Sequence, residues 1–347
     1  MFDLYSGNTP SRLNKEHFKG TVNWISSGEL KEHYIYSSKE QISEEAAKSL
    51  KLLPVGTFVI AIYGLEAEGV RGTGSIIQEP STISQACMSF IPKGVIENEF
   101  LYSWYKKHGN VIGIRYAQGT KQQNLSYDIL EKFRIAYPNT KEQEKLNKFI
   151  SLLDERISTQ SKIIDRLQSL IKGIAHKVSK QGKPNIRLSE CLLCTSSTLQ
   201  ESDVAEVGAY PVYGANGIVG YLDTYNTTSE AIYIIKDGSG VGAVSCVKGK
   251  CSATGTLNIL QTKEGFSLRY LYFILKVFSF EPYKTGMAIP HIYFKDYGKA
   301  KIYCPSNQLQ CKYADLLSKI EQKATAEQKI LDNLCSQKQY LLCQMFI

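Results

Sequence analysis

Apolar residues in two stretches of the chain recur on alternating steps of three and four. The first stretch carries Leu146, Ile150, Leu153, Ile157, Ile164, Leu167, Ile171, Ile174 and Val178. The second carries Tyr313, Leu317, Ile320, Ala324, Leu331, Leu334, Leu341 and Met345. This is a heptad seam, and it predicts two helices of roughly 35–38 residues, about 55 Å each at 1.5 Å per residue. A helix of that length with a single apolar stripe is unstable alone in water, so the two stripes are expected to cover each other. Both seams are interrupted at one equivalent place, by Gln160 and by Glu327, and Lys338 breaks the second again. The polar pair has two readings of equal weight, a pin that fixes register or side chains that reach out to water.

The two seams belong to a longer repeat. Residues Gly119–Val178 align without gaps on Gly286–Met345 at an offset of 167, with twelve identities that include Gly119/Gly286, Ile135/Ile302, Pro138/Pro305 and Gln143/Gln310. Pro138 and Pro305 each precede a run of capping residues, and the first helix meets a Gly and Pro stop over Ser179–Pro184. The predicted boundaries are therefore 1–138, 139–183, 184–305 and 306–347. Both globular segments carry β-like runs, Thr57–Gly64 and Ala231–Lys236, and aromatic helix-like stretches, Phe100–Tyr105 and Tyr270–Leu275. The expected fold is α+β, with two similar globular domains joined by two long antiparallel coiled-coil helices in a pseudo-twofold repeat.

The 347 residues carry a net charge of +8, with 43% hydrophobic and 21% charged residues, which excludes a disordered or collagen-like chain. No run approaches the ~18 consecutive apolar residues of a membrane span, and Met1–Ser6 has no basic lead into an apolar stretch, so a cytoplasmic protein without a membrane partner is expected. Nine cysteines at scattered spacings point to reduced thiols. Residues 139–183 hold most of the excess charge, ten basic against five acidic, while 1–138 and 184–305 are each near neutral. Four of those basic residues, Lys172, Lys177, Lys180 and Lys183, gather at the end of the first helix, as a solvated face or a phosphate contact. This balance permits a nucleic-acid partner without demanding one.

Candidate chemistry is sparse. Asp237–Gly242 is Gly-rich, but the β-like run Ala243–Val247 follows it, which makes a hairpin and not a dinucleotide turn. Gly249-Lys250-Cys251 does not complete a phosphate-binding loop. Cys191 and Cys194 have metal-ligand spacing that Cys246 and Cys251 could complete, but small buried residues are the better reading and no metal is expected. The five histidines form no paired spacing, and no constellation demands an enzyme. Gly119–Ser126 is a loop rich in amide side chains, suited to adenine edges or phosphates, and its repeat counterpart Gly286–Ile292 keeps the Gly and changes the chemistry.

Two variable α+β segments, each followed by one copy of a long helix, resemble the DNA-specificity subunit of type I restriction-modification systems over nearly the whole chain. The stretches that carry the resemblance are Ser6–Ser11, Trp24–Leu30, Asn124–Ser126, Glu142–Leu146 with Leu153–Glu155 and Ile163–Ile164, Tyr210–Tyr221 and Asp237–Gly240. One departure is that the second segment opens with Asn185–Glu190, for which the first, starting at Phe2, has no counterpart. The resemblance implies a non-catalytic subunit that reads a bipartite double-stranded DNA target, one half with each segment, the helices setting the gap. It implies modification (methyltransferase) and restriction (translocase and nuclease) subunits as partners. It also implies no cofactor of its own, with S-adenosylmethionine and nucleotide held by those partners. The candidate DNA contacts are Arg71, Lys121, Gln122, Gln123, Asn124, Tyr213, Asn216, Lys236 and His291. The alternatives are a coiled-coil scaffold that binds proteins, or a shortened specificity subunit with altered or absent recognition.

Overall fold

In the computed structural model, which describes residues 1–67, 69–286 and 288–346, the chain divides into two units. Unit 1 is Met1–Thr159 with Leu331–Ile347, and unit 2 is Gln160–Ile330. The division falls inside the two long helices, so each unit contains part of both.

Unit 1 contains β1 (Phe2–Ser6), β2 (Val22–Ile25), β3 (Tyr34–Ile35), β4 (Glu40–Ile42), β5 (Phe58–Ala61), β6 (Gly74–Ile77), β7 (Ser81–Ile83) and β8 (Cys87–Pro92). Its helices are α1 (Glu44–Lys48), α2 (Asn98–Tyr116), α3 (Tyr127–Glu131) and the start of α4 (Thr140–Ser179). One sheet runs β1-β8-β5-β6-β3 and a second runs β4-β2-β7. All four residues of β5 are buried, as expected for a central strand covered on both faces. The aromatic run of α2 packs on this sheet, with Phe100, Leu101, Tyr102, Trp104 and Tyr105 in one cluster with Phe58, Ile60 and Ile76.

Unit 2 has a similar plan, with the end of α4, α5 (Leu188–Cys191), α6 (Leu268–Lys276), α7 (Phe294–Tyr297), the larger part of α8 (Asn307–Met345) and, among the described residues, nine strands. These are β9 (Ile186–Arg187), β10 (Leu192–Ser196), β11 (Tyr210–Gly214), β12 (Gly217–Leu222), β13 (Ala231–Ile235), β14 (Val244–Val247), β15 (Ser252–Ala253), β16 (Leu257–Thr262) and β17 (Lys301–Ile302). Its sheets run β10-β16-β13-β14 and β12-β11-β15, with a separate β17-β9 pair. The order β10-β16-β13-β14 matches β1-β8-β5-β6 of unit 1, whose edge strand β3 has no counterpart among the described residues of unit 2, and in both small sheets the middle strand pairs parallel to one neighbour, β2 to β7 and β11 to β15. The Gly-rich run Asp237–Gly242 lies in the turn between antiparallel β13 and β14, as a hairpin.

The long helices have 40 and 39 residues, slightly more than the seams require, because a polar turn precedes each seam. Within unit 1, Leu146, Ile150 and Leu153 share a cluster with Leu342, Met345 and Phe346. Within unit 2, Ile171, Ile174, Ala175 and Val178 share one with Tyr313, Ala314, Leu317 and Ile320. The remaining seam positions, Ile157, Ile164, Leu167, Ala324, Leu331, Leu334 and Leu341, are buried or half-buried. Gln160 and Glu327 meet each other: the Gln160 amide donates to the Glu327 carboxylate and to its main-chain oxygen at 3.1 Å. The two polar side chains pair with each other and do not reach out separately to water. Lys338, which breaks the second seam, is satisfied by an ion pair with Asp154.

One buried glutamine per unit ties helix to globular body. Gln143, fully buried, accepts the Glu97 N–H at 2.9 Å where α2 begins and donates to the carbonyls of Val95 at 2.7 Å and Pro138 at 2.9 Å. Its repeat counterpart Gln310 accepts the Ser267 N–H at 3.0 Å where α6 begins and donates to the Pro305 carbonyl at 2.9 Å. The first turn of each aromatic helix thus finds, in a side chain of the long helix, a partner for a backbone donor near its N-terminus.

Candidate nucleic-acid interface

The equivalent loops of the repeat have the same construction. In unit 1, Gln118 and Asn124 exchange two backbone hydrogen bonds of 2.9 Å, and in unit 2 Thr285 and His291 exchange bonds of 2.9 and 2.8 Å. Gly119 and Gly286 open the loops at φ of +114° and +88°, where a Cβ would meet the carbonyl oxygen of Gln122 at 2.1 Å or of Ile289 at 2.3 Å. That conformation and that clearance are why both copies keep glycine there.

Each loop is then fastened to the chain leaving the central strand. In unit 1, the Leu125 N–H donates to Ile62 O at 2.9 Å and the Leu65 N–H to Gln123 O at 3.0 Å. The Gln123 N–H donates to Glu66 Oε2 at 2.9 Å, and this bond holds the Glu66 carboxyl below the usual carboxylate range. Arg71 completes the turn, with Nε on Leu65 O at 2.6 Å and Nη2 on Glu66 O at 3.0 Å. Arg71, Lys121, Gln122, Gln123 and Asn124 are therefore brought together, with Lys121 and Gln122 exposed. Two of the Arg71 donors are committed to the backbone. The buried Asn124 Oδ1 has no hydrogen-bond partner among the described residues.

In unit 2, the Ile292 N–H donates to Lys236 O at 2.9 Å and the Gly238 N–H to Pro290 O at 3.0 Å, so Lys236 and His291 also share one site. The His291 ring lies 5.7 Å from that of Tyr293, which is exposed and carries Lys295 Nζ 5.1 Å above it. Tyr213 and Asn216 belong to the smaller sheet. Tyr213, on β11, packs edge-on to Tyr233 at 5.9 Å, and Asn216 is exposed at the β11–β12 turn. Near the start of that strand, Lys250 Nζ lies 5.9 Å from the Tyr210 ring and 4.8 Å from that of the exposed Tyr225. Sequence reasoning missed the pairs Tyr293/Lys295 and Tyr225/Lys250. The first has a local signal in its two-residue spacing, whereas the second joins residues far apart in the chain. Exposed rings beside cations suit stacking on bases and contact with phosphates.

No group of three or more His, Cys, Asp or Glu side chains that could hold a metal ion occurs among the described residues. Burial pushes the Cys191 and Cys246 thiols up to about 12 and Cys194 up to about 11, away from the thiolate that metal binding or nucleophilic attack requires. Among the described residues no helix is long and apolar enough to cross a membrane.

The repeat also appears in comparison with known proteins. The profile of the type I restriction modification DNA specificity domain matches residues 1–169 and again 191–335. The MjaIX specificity subunit of Methanocaldococcus jannaschii is 29% identical over 174 residues, 48% of this chain and 39% of that one. The EcoR124I/EcoR124II specificity subunit of Escherichia coli is 30% identical over 155 residues, 43% of this chain and 38% of the relative. The chain thus spans about two fifths of the length of these two relatives. The EcoprrI specificity subunit of Escherichia coli aligns over 92% of this chain and 86% of its own length at 22% identity. Among solved structures, the S subunit of a type I restriction-modification system from M. genitalium has the same fold, with a TM-score of 0.66 at 20% identity, covering 100% of this chain and 94% of the other. Two copies of one domain, sharing a four-strand core order and the loop construction, account for nearly all of the sequence, and the chain belongs to the family of type I restriction modification DNA specificity domains.

Proposed function

We propose that the chain is the DNA-recognition subunit of a type I restriction-modification complex, reading a bipartite double-stranded target with one half assigned to each globular domain. The long helices act as an antiparallel coiled coil that joins the two target-recognition domains and offers a docking face to modification subunits. Methylation and cleavage, with S-adenosylmethionine and nucleotide, belong to the modification and restriction subunits. The observation that carries this reading is the pair of equivalent loops, 118–124 and 285–291, held by the same main-chain bonds while their exposed side chains differ. Base contacts specify and phosphate contacts position, so two unlike surfaces on one scaffold suit two unlike half-sites. The near-neutral globular segments agree with phosphate contacts shared by partner subunits. Methylome sequencing of a host with and without the gene is the test, repeated after exchanging residues 1–138 for another domain of the family. One half-site should change alone, and a change in both halves, or no methylated motif tied to the gene, refutes the reading.

A further inference from the structure

The turns that follow the two central strands differ in length and in how they are held. Twelve residues separate β5 from β6 in unit 1, and eight separate β13 from β14 in unit 2. The shorter turn closes through main-chain bonds, from the Val241 N–H to Gly238 O at 3.1 Å, the Gly242 N–H to Ile235 O at 2.8 Å and the Ala243 N–H to Gly240 O at 3.0 Å. It holds its loop directly, through the Gly238 N–H on Pro290 O at 3.0 Å.

The longer turn uses a side chain. Arg71 reaches back across it, with Nε donating to Leu65 O at 2.6 Å and Nη2 to Glu66 O at 3.0 Å. Leu65 and Glu66 are the residues that fasten loop 118–124. The Leu65 N–H donates to Gln123 O at 3.0 Å, and the Glu66 carboxylate accepts the Gln123 N–H at 2.9 Å. The other side of Arg71 is set by α2. A Cβ on Gly113 would meet the Arg71 Cγ at 2.6 Å and its Cδ at 3.1 Å, and a Cβ on Gly109 would meet the Gly72 Cα at 2.9 Å. Glycines one helical turn apart thus let residues 71–72 lie against the helix. Contacts run without a break from Gly113 through Arg71 to Leu65 and Glu66, and on to Gln123.

We propose that Arg71 is a positioning residue for loop 118–124, acting on DNA recognition through Leu65, Glu66 and Gln123 and not by touching a base or phosphate; what the loop then reads rests on the proposed function. An arginine that reads guanine or grips a phosphate presents a pair of N–H donors to it. In Arg71 the pair formed by Nε and Nη2 is filled by two main-chain carbonyls. The guanidinium does for the longer turn what backbone bonds do for the shorter one.

The test is hydrogen exchange of the full chain without DNA, read over residues 62–66 and 118–125. Arg71→Gln should speed exchange in both segments about 5- to 150-fold, the loss of two hydrogen bonds, while β5 and β8 keep their rates. Arg71→Lys, which supplies a donor to one carbonyl, should recover part of the protection. Gly113→Ala should speed the same segments with the guanidinium still present. A residue that only touched DNA would leave these rates unchanged in the free chain, so unchanged rates in Arg71→Gln overturn the proposal. Faster exchange that spreads through β5 and β8 does so too, because it marks a loosened domain and not a displaced loop. In the host methylome, Arg71→Gln should relax the half-site that changes when residues 1–138 are exchanged, with partial recovery in Arg71→Lys, and an unchanged motif also overturns the proposal. No methylated motif with the wild-type gene refutes the proposed function instead, and the exchange rates still decide whether Arg71 positions the loop.

Discussion

Replacing Gln310 by leucine isolates the buried amide at the start of α8. Leucine keeps the bulk but removes an acceptor from the Ser267 N–H and a donor to the Pro305 carbonyl, bonds of 3.0 and 2.9 Å. Each buried group left unpaired costs about 1–3 kcal/mol, and both partners are half-buried, so the loss should be about 2–4 kcal/mol. For a body of this size that is a fall in Tm of about 4–16 °C. Gln143→Leu removes three bonds and should cost at least as much. The two variants can be told apart, because both tryptophans, Trp24 and Trp104, lie in unit 1. Tryptophan fluorescence therefore follows the Gln143 variant, while circular dichroism at the helical band follows both. Gln310→Glu keeps the acceptor but sets a buried carboxylate against the Pro305 carbonyl, so at neutral pH it should destabilise at least as much as Gln310→Leu. If both leucine variants melt within about 2 °C of wild type, the glutamines do not couple helix to domain and the reasoning fails.

Lys323, 2.7 Å away, and Gln160 hold the Glu327 carboxyl below its ordinary value of 4.5. A depressed folded-state pKa contributes stability that is present above the unfolded value and lost as pH falls through the folded one, so melting from about pH 6 down to about pH 3 should show an acid loss that Glu327→Gln reduces; superimposable acid profiles would count against the pin. Among the thiols, exposed Cys311, Cys335 and Cys343 should react at once with a disulfide reagent. Buried Cys87 and Cys191, pushed up to about 12 by burial, should react only on unfolding, and rapid labelling of either contradicts the packing.

The parts of the fold that follow from spacing were legible in the sequence. Steps of three and four located both long helices, and the offset of 167 matched Gly119 to Gly286 and Asn124 to His291, the positions that close the two loops. Legibility ended where the deciding contact is long-range. Gln143 and Gln310 were visible as identities, but polar residues at the start of a helix read as solvated, and only the fold shows that the first turns of α2 and α6 need them. Ala175 and Ala314 are buried core residues of the helix packing, yet alanine carries too little apolar surface to stand out in a heptad count. The attachment of each loop to residues 62–66 or 236–238 depends on sheet order, which no local pattern encodes.

The division between what repeats and what varies has a physical basis. The bonds that hold each loop run mainly between backbone atoms, Gln118 with Asn124 and Thr285 with His291, so they do not depend on which side chains the loop displays. Glycine is required where φ is positive, and it is retained in both copies. The exposed positions between can change from Lys121 and Gln122 in one loop to Ala288 and Ile289 in the other with little effect on these bonds. The glutamines that fasten each aromatic helix to the long helices work in the opposite sense: each is buried and both accepts and donates hydrogen bonds to the main chain, so substitution there is costly. A scaffold that restricts change at the helix junctions and permits it at the loop tips lets the displayed side chains diverge between the two copies while the bonds that fasten each to its helix are retained.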